Sequence, residues 1–189
     1  IGDYPEAMDE ARHFPTGRLG SFQRHRIRFW SIYDLALGDA WGDLQFSGLL
    51  RVESARVYSL RAFESPLSPT QEGILFDLGY PDIPSNPDLY FGERGSEDFA
   101  GFGALDLSVN YNIPLWRQLR PWIKIDVFNA LNNDKLITWN TNVFPDFEGP
   151  VDDLGLPTTF VEDPSFGEAQ SSADFPVPRT FRVSLGFRF

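Results

Sequence analysis

Arg179-Thr-Phe-Arg-Val-Ser-Leu-Gly-Phe-Arg-Phe189 is the segment that decides the fold, because large apolar side chains alternate with small or polar ones from Thr180 onward. Successive side chains of a β-strand point to opposite faces, so a strand here has one apolar and one polar face. The apolar face consists of Phe181, Val183, Leu185, Phe187 and Phe189, and the opposite face of Arg182, Ser184, Gly186 and Arg188. Exposed aromatic residues at a fraying terminus are unfavourable in a soluble protein. The pattern therefore favours a strand of a membrane barrel, which turns this face to lipid.

The overall composition excludes few classes of protein. The chain has 189 residues, of which 42% are apolar, and it has no cysteine. Disulfides and thiolate metal sites are therefore impossible. No segment approaches the roughly 18 consecutive apolar residues of a membrane helix. The mean hydropathy of −0.26 would suit a soluble protein, but barrels also have low means because only alternate strand residues face lipid.

Four further segments alternate in the same way. In residues 104–113, for example, Leu105, Leu107 and Val109 oppose Asp106 and Ser108. Each segment is long enough to supply the 9–11 residues or so that a tilted strand needs to cross a bilayer. The predicted fold class is all-β, namely a transmembrane antiparallel β-barrel segment. Its predicted strands lie at about 22–37, 43–62, 104–113, 121–131 and 179–189.

The predicted connections alternate between short and long. The short links are 38–42 and 114–120, and the long ones are 63–103 and 132–178. Outer-membrane barrels have short periplasmic turns and long extracellular loops, so we assign the links in that way. Trp41, Trp116 and Trp122 lie at the short-turn end, where an apolar ring with a polar N–H favours the membrane interface. Chance clustering of these residues is the alternative.

Charged residues are distributed unevenly between predicted strands and loops. Of the 27 acidic residues, 21 lie before residue 20 or in the two long links. The polar strand faces are mainly basic, and we predict that they form a cationic lumen-facing wall opposite acidic loops. The predicted lumen-facing residues are Arg24, Arg26, Arg28, Arg51, Glu53, Asp106, Lys124, Asp126, Arg182 and Arg188. The alternative is that the loop acids only keep an exposed surface soluble.

The long loops contain the candidate ligand-binding residues. These are the aromatic residues Tyr80, Tyr90, Phe91, Trp139 and Phe160. Because loops often carry function, we predict that these side chains line a ligand vestibule. The alternative is that they anchor the loops to one another.

Metal binding and catalysis have little support. Four acidic residues could supply oxygen ligands to calcium, but they match no defined calcium loop, and a solvated acidic loop explains them as well. They are Asp146, Glu148, Asp152 and Asp153. The two histidines, His13 and His25, are expected to be ordinary surface residues without a catalytic partner. We expect neither an enzyme nor a bound cofactor.

Five strands cannot close a barrel. Bacterial barrels generally have even strand numbers from about eight upward, and each unsatisfied backbone group in hydrocarbon costs several kcal/mol. The chain starts without Met, in an acidic segment typical of a loop interior. The sequence therefore predicts a piece of a longer protein whose remaining strands precede Ile1.

Three segments resemble one known family. Pro178-Arg179-Thr-Phe-Arg-Val-Ser-Leu-Gly-Phe-Arg-Phe189 resembles the final strand of TonB-dependent outer-membrane receptors, and Val127-Phe128-Asn129-Ala130-Leu131-Asn132-Asn133 resembles their penultimate strand. Arg24-His25-Arg26, followed by Trp30-Ser-Ile-Tyr33, is similar to a late strand of the Oar-like, carboxypeptidase-regulatory-domain branch.

This resemblance implies a barrel of roughly twenty-two strands, of which these are the last five, with an N-terminal plug domain outside this chain. It implies several partners: the rest of the barrel and the plug, the TonB complex through the plug side, the barrel assembly machinery, and outer-membrane lipid or lipopolysaccharide. No nucleic-acid partner is expected. The family's assembly signal corresponds to Phe181, Val183, Leu185, Gly186, Phe187 and Phe189, whereas no residue here matches the TonB box.

Three functions compete. The leading one is energised uptake of a scarce metal chelate, oligosaccharide or peptide through a plugged barrel in the outer membrane of a Gram-negative-type bacterium. The first alternative is a passive porin, adhesin or secretion channel that shares the terminal strand. The second is a soluble β-sandwich binding module, which would be extracted without detergent.

Overall fold

The computed structural model describes residues 9–63, 65, 67–81, 87–114 and 119–188. Antiparallel β-structure predominates in them. The elements are α1 (Glu10–His13), β1 (Arg26–Ala36), β2 (Asp43–Glu53), β3 (Val57–Tyr58), β4 (Arg61–Ala62), α2 (Pro69–Asp77), β5 (Leu89–Tyr90), β6 (Glu97–Asp98), β7 (Phe102–Asn112), β8 (Arg120–Phe128), β9 (Val143–Pro145), β10 (Phe160–Glu162) and β11 (Thr180–Arg188). They belong to two compact units. The sheet unit comprises the described parts of 23–55, 100–137 and 173–189, and the loop unit those of 1–22, 56–99 and 138–172.

The sheet unit is built from the five long strands, which pair antiparallel in chain order as β1-β2-β7-β8-β11. One row across this sheet consists of Tyr33, Phe46, Val109, Ile125 and Val183, each opposite the next. A slip of one residue between two strands would turn the apolar residues of one strand to the other face. The observed registers contain no such slip, so the apolar sides of all five strands share one face.

The apolar face of the sheet is exposed. Phe29, Phe181 and Leu185 expose 64%, 66% and 73% of their surface. Other exposed members are Ile27, Tyr33, Phe46, Leu50, Val52, Leu107, Ile125, Val183 and Phe187. Soluble monomers rarely expose apolar patches larger than a few hundred Å². A continuous face of this kind is typical of a surface that contacts lipid or another protein.

The opposite face of the sheet is held together by ion pairs. These are Arg26–Glu53 (3.6 Å), Arg51–Asp106 (2.9 Å), Lys124–Asp126 (3.0 Å) and Arg182–Asp126 (2.9 Å). Asp126 is only 4% exposed and binds two cations, so its carboxylate is the centre of the network. Each of the three predicted lumen-facing acids, Glu53, Asp106 and Asp126, pairs with at least one base of this face. Arg28 and Arg188 lie opposite Arg51 and Arg120 on the same face.

Two exposed apolar residues of β1 lie on this polar face. Trp30 and Ile32 of β1 are 70% and 63% exposed, and their positions alternate with those of the apolar face. In the sequence, the run Phe29-Trp30-Ser31-Ile32-Tyr33 breaks the alternation of apolar and polar residues, and this break indicates apolar side chains on both faces of the strand. The centre of β1 is therefore apolar on both sides.

Trp122 covers Gly186 on the neighbouring strand. The two residues lie opposite each other in β8 and β11, and a Cβ on Gly186 would lie 2.5 Å from Cζ2 of the indole. An aromatic ring over a cross-strand glycine fills the space left by the missing side chain. Gly186, which belongs to the predicted assembly signal, therefore also has a packing role.

We expect Gly186→Ala to destabilise the protein by about 1–2 kcal/mol, because the added methyl group forces the Trp122 ring to move. In the double variant with Trp122→Leu, the smaller side chain should leave room for this methyl group. Urea unfolding of both single variants and the double variant measures the coupling. Strictly additive losses would contradict the contact.

The start of β1 and the end of β2 differ from the predicted positions. β1 begins at Arg26, so Arg24 precedes the strand. The prediction of one strand over 43–62 is wrong, because β2 ends at Glu53. Residues 57–58 and 61–62 leave the sheet and pair with β6 and β5. The first long connection therefore begins at residue 54.

Trp41 is described by the structure, whereas two other residues with predicted roles are not. Trp41 lies in the β1–β2 turn, is 69% exposed, and accepts a hydrogen bond on its carbonyl from the Tyr111 hydroxyl at 2.8 Å. Trp116, predicted for the interface, and Phe189, predicted for the assembly signal, lie outside the described residues.

β8 ends at Phe128 rather than near residue 131, because Asn129 adopts a φ of +48°. Asn129 is 3% exposed, and its Nδ2 donates to the carbonyls of Asn133 (2.9 Å) and Val177 (3.0 Å). Its Oδ1 accepts from the Asn133 backbone N–H at 3.0 Å, and Asn133 Nδ2 donates to the Gly103 carbonyl at 2.8 Å. This asparagine clasp, Asn129 and Asn133, joins the ends of β7 and β8 to the segment before β11.

α2 lies in a region that the sequence predicted as loop. Ser68 caps it, since its hydroxyl accepts from the Gln71 N–H while the Gln71 side chain accepts from the Ser68 N–H. This capping box, with Pro69 at the first helical position, is the local helix signal. Leu75 is buried and packs with Leu67. In the described part of the chain, no helix has the length and apolar character needed to cross a membrane.

Candidate ligand-binding cavity

The loop unit is held together by short antiparallel pairs and small apolar clusters. The strand pairs are β3–β6, β4–β5 and β9–β10. One cluster contains buried Ala62, Leu89 and Leu156, with Phe91 packed against it. Because these residues come from both long connections, segments that are distant in sequence become adjacent. We call this cluster and the three strand pairs the frame; a rigid scaffold of this kind positions the loop residues that bind ligands.

A cavity of about 930 Å³ lies within the loop unit, between residues 11–16, 90–93 and 158–160. Phe14, Phe91 and Phe160 line it, and the ring centroids of Phe91 and Phe160 are 5.3 Å apart. A cavity of this size with aromatic walls is typical of a small-molecule site. We call it the loop cavity.

Arg12 is the cationic residue of the loop cavity. Its Nη1 lies 2.6 Å from Asp152 Oδ2, and its Nη2 donates to the Pro157 carbonyl. The guanidinium also lies over the Phe91 ring, 5.7 Å from the centroid. Because a carboxylate, a carbonyl and a ring surround it, the guanidinium joins three segments and its charge is compensated.

The other polar groups of the loop cavity are neutral or acidic. Thr158 Oγ1 donates to the Pro150 carbonyl at 3.0 Å, and Thr159 Oγ1 donates to Asp146 Oδ2 at 3.1 Å. The single O–H group of each threonine is thus already used as a hydrogen-bond donor, so each hydroxyl can only accept a further hydrogen bond. Glu93 is exposed and adds a carboxylate. Apart from Arg12, the described lining therefore offers aromatic rings, hydroxyl groups and one carboxylate.

The predicted vestibule residues do not all reach this cavity. Tyr90 and Phe91 line it, as does Phe160. Tyr80 packs instead against the buried Leu67–Leu75 cluster. The alternative role, anchoring within the loops, therefore describes Tyr80.

Trp139 has the same anchoring role in a separate aromatic cluster. Its ring lies edge-on to Phe99 at 5.1 Å and to Tyr58 at 6.1 Å. Burial in this cluster raises the pKa of the Tyr58 phenol above its usual range. Trp139 does not line the loop cavity, and its packing fits the alternative role of anchoring the loops.

His13 is buried rather than on the surface, which corrects the expectation for this residue. It is 4% exposed, and its Nδ1 lies 2.8 Å from the Asp88 carbonyl. Its Nε2 is buried without a hydrogen-bond partner among the described residues. Burial lowers the pKa of His13, and the hydrogen bond to Asp88 opposes this only in part. The folded loop unit therefore favours the neutral imidazole.

The loop unit should lose stability on mild acidification. Because the folded pKa of His13 lies below the unfolded value of 6.5, its stabilising contribution is present above that value and is lost as the pH falls through the folded pKa. We expect faster limited proteolysis of the loops at about pH 5.5 than at about pH 7.5. His13→Gln should weaken this dependence, whereas His25→Gln should preserve it. Equal pH dependence in the wild type and His13→Gln would contradict the assignment.

The four calcium candidates do not form a common site. Asp152 Oδ1 accepts the backbone N–H groups of Leu154 (3.0 Å) and Leu156 (2.9 Å), while its Oδ2 binds Arg12. Asp146 accepts the Thr159 hydroxyl, and Glu148 and Asp153 are exposed. The described residues contain no group of three or more acidic or histidine side chains able to hold a metal ion. The calcium prediction is corrected, because Asp146 and Asp152 close local turns.

Arg12, Phe14, Glu93, Thr158 and Thr159 are among the cavity residues that the sequence does not single out. They come from segments far apart in the chain, and no local pattern connects them. The nearest signal is the density of aromatic residues in the loops, which leads only to Tyr90, Phe91 and Phe160.

The chain was compared with protein-family models, with curated proteins and with solved structures, and no match was found in any of the three.

Proposed function

We propose that this chain is the C-terminal part of the β-barrel of a TonB-dependent outer-membrane receptor, which takes up a scarce ligand by an energised mechanism. The observation that carries the proposal is the exposed apolar face that extends across all five strands of the sheet unit. A barrel wall needs such a face toward lipid and a polar face toward the lumen. The resemblance of the last two strands narrows the proposal from barrels in general to this family.

The two edges of the sheet bear on the same proposal. Within the described residues, β1 and β11 each pair on one side only. Unpaired strand edges are costly in hydrocarbon. The proposal therefore requires further strands of the full-length protein beside both edges.

The loop cavity is the ligand site of the proposed receptor. It is lined by Tyr90 and Phe91 of one long connection and by Phe160 of the other. In the proposed barrel both connections are extracellular, so the cavity would meet the ligand from outside the cell. The partly buried Arg12 and the buried His13 belong to the frame that holds it.

The proposal is tested with the protein expressed from its complete gene in a Gram-negative host. We expect it in the outer-membrane fraction, and we expect the solubilised protein to be retained by an immobilised periplasmic domain of TonB. An unrelated porin is the control for nonspecific retention. Retention no greater than that of the porin would refute the receptor class, and recovery in the soluble fraction without detergent would refute the membrane assignment.

Planar-bilayer recording separates the receptor from a passive porin. A plugged receptor should give no steady conductance, whereas a passive porin should give stable open channels. Stable open channels in the wild-type protein would therefore overturn energised uptake in favour of the porin, while leaving the barrel assignment in place.

A further inference from the structure

The negative charge of the chain is concentrated in the loop unit. The residue ranges of the loop unit contain nineteen acidic and five basic residues, which gives a formal charge of −14. Those of the sheet unit contain eight acidic and eleven basic residues, which gives a formal charge of +3. The whole chain has a net charge of −11. A surface with one sign of charge raises the local concentration of ligands with the opposite sign. The loop unit therefore attracts cations and repels anions.

The loop cavity has the same preference at close range. Arg12 is already bound to Asp152, so it does not offer an uncompensated charge to an anion. The hydroxyls of Thr158 and Thr159 already donate hydrogen bonds to Pro150 and Asp146. Glu93 adds a negative charge to the lining. An anionic ligand would thus meet the Glu93 carboxylate and a cation that is already paired, whereas a cationic ligand would meet a carboxylate and hydroxyl oxygens that stabilise it.

The aromatic walls favour a particular kind of cation. The faces of Phe14, Phe91 and Phe160 carry partial negative charge and attract a cation whose centre lies within about 6 Å. A strongly hydrated ion such as sodium would lose too much hydration on entering an apolar cavity. An organic cation such as an alkylammonium group is only weakly hydrated and also buries apolar surface.

From these observations we infer that the loop cavity binds a small organic cation with an apolar body, of the aryl- or alkylammonium class. The assignment of this ligand as transported cargo rests on the proposed receptor function, whereas the binding itself depends only on the loop cavity. Glu93 and the rings of Phe14 and Phe160 are the recognition groups. Arg12 has a positioning role, since it holds Phe91 against the frame.

Calorimetric titration of the detergent-solubilised full-length protein with benzyltrimethylammonium tests this inference. Phenylmethanesulfonate, an anion of similar shape, is the matched probe. We expect the cation to bind at least tenfold more tightly than the anion, and its affinity to fall with added salt. Comparable binding of both probes, or no binding of the cation, would overturn the inferred ligand class.

Conservative variants locate the binding. Phe14→Leu and Phe160→Leu keep apolar volume but remove the π face, so each should weaken binding of the cation by about threefold to tenfold. Glu93→Gln should have a similar effect. The matched controls are Phe147→Leu and Glu148→Gln, which alter exposed residues of the loop unit outside the cavity lining and should leave the affinity unchanged. Unchanged affinity in both cavity phenylalanine variants would also overturn the inference.

A failure of the inferred cation binding can be distinguished from a failure of the proposed receptor function. The same preparation is assayed for retention by the TonB domain, which does not depend on the loop cavity. Retention without cation binding would refute the ligand class and leave the receptor in place. Cation binding without retention would leave the site in place and refute the receptor.

Discussion

Replacing Leu107 by arginine should lower the free energy of unfolding in lipid vesicles by about 2–4 kcal/mol, the loss typical of a charge placed near the bilayer midplane on the lipid face of a barrel. Leu107 lies in the middle of β7, in a row with Gly48, Val127 and Phe181, and is exposed on the apolar face. The arginine would have no polar residue directly opposite it, because its cross-strand partners are Gly48 and Val127. Urea titration of vesicle-inserted protein measures the loss.

Ser108→Arg is the matched control for this prediction. Ser108 is the next residue in β7 but lies on the polar face, opposite Ser47 and Asp126. An arginine there meets a carboxylate that already binds Lys124 and Arg182. We expect a clearly smaller loss than for Leu107→Arg. Equal losses at the two positions would contradict the orientation of the sheet.

Asn129→Ala should destabilise the sheet unit by about 3–4 kcal/mol. The side chain takes part in three hydrogen bonds with Asn133 and Val177, and each buried bond contributes about 1 kcal/mol. Alanine also tolerates the φ of +48° less well than asparagine, which adds a strain of about 1 kcal/mol. Urea unfolding measures the total.

Asn132 offers a control of the same residue type. It has a similar φ of +53° but is exposed, and the described structure shows no hydrogen bond from its side chain. Asn132→Ala should therefore cost only the strain, about 1 kcal/mol. Asn129→Gly, which removes the side chain but not the tolerance for positive φ, should retain most of the loss. A loss at Asn129 no larger than that at Asn132 would show that the clasp contributes little.

The sheet was largely predictable because its signals are local. The alternation at 104–113 and 179–189 depends only on the order of residues, and it identified the strands that the structure shows as β7 and β11. Their ends were less predictable, since they depend on single events such as the positive φ of Asn129. The helix after Ser68 has a local capping box, but it is short and surrounded by loop residues.

The ion pairs and the loop cavity could not be derived in this way, because they depend on which distant segments meet. Arg51 pairs with Asp106 only through the register of β2 and β7. The burial of His13 depends on its contact with the segment around Asp88. Of the predicted vestibule residues, the structure brings together Tyr90, which ends β5, Phe91, which follows it, and Phe160, which begins β10. Tyr80 and Trp139 take part in local packing instead.

The central claim is that the apolar face of the sheet contacts lipid, and site-specific fluorescence quenching tests it most directly. The chain has no cysteine, so single cysteines at Leu107, Ser108, Ser184 and Leu185 can each carry a bilayer-sensitive fluorophore in the membrane-inserted protein. Lipids with brominated chains should quench the label at Leu107 and Leu185 and leave it largely unquenched at Ser108 and Ser184. Equal quenching at neighbouring positions, or quenching at the two serines alone, would contradict the account.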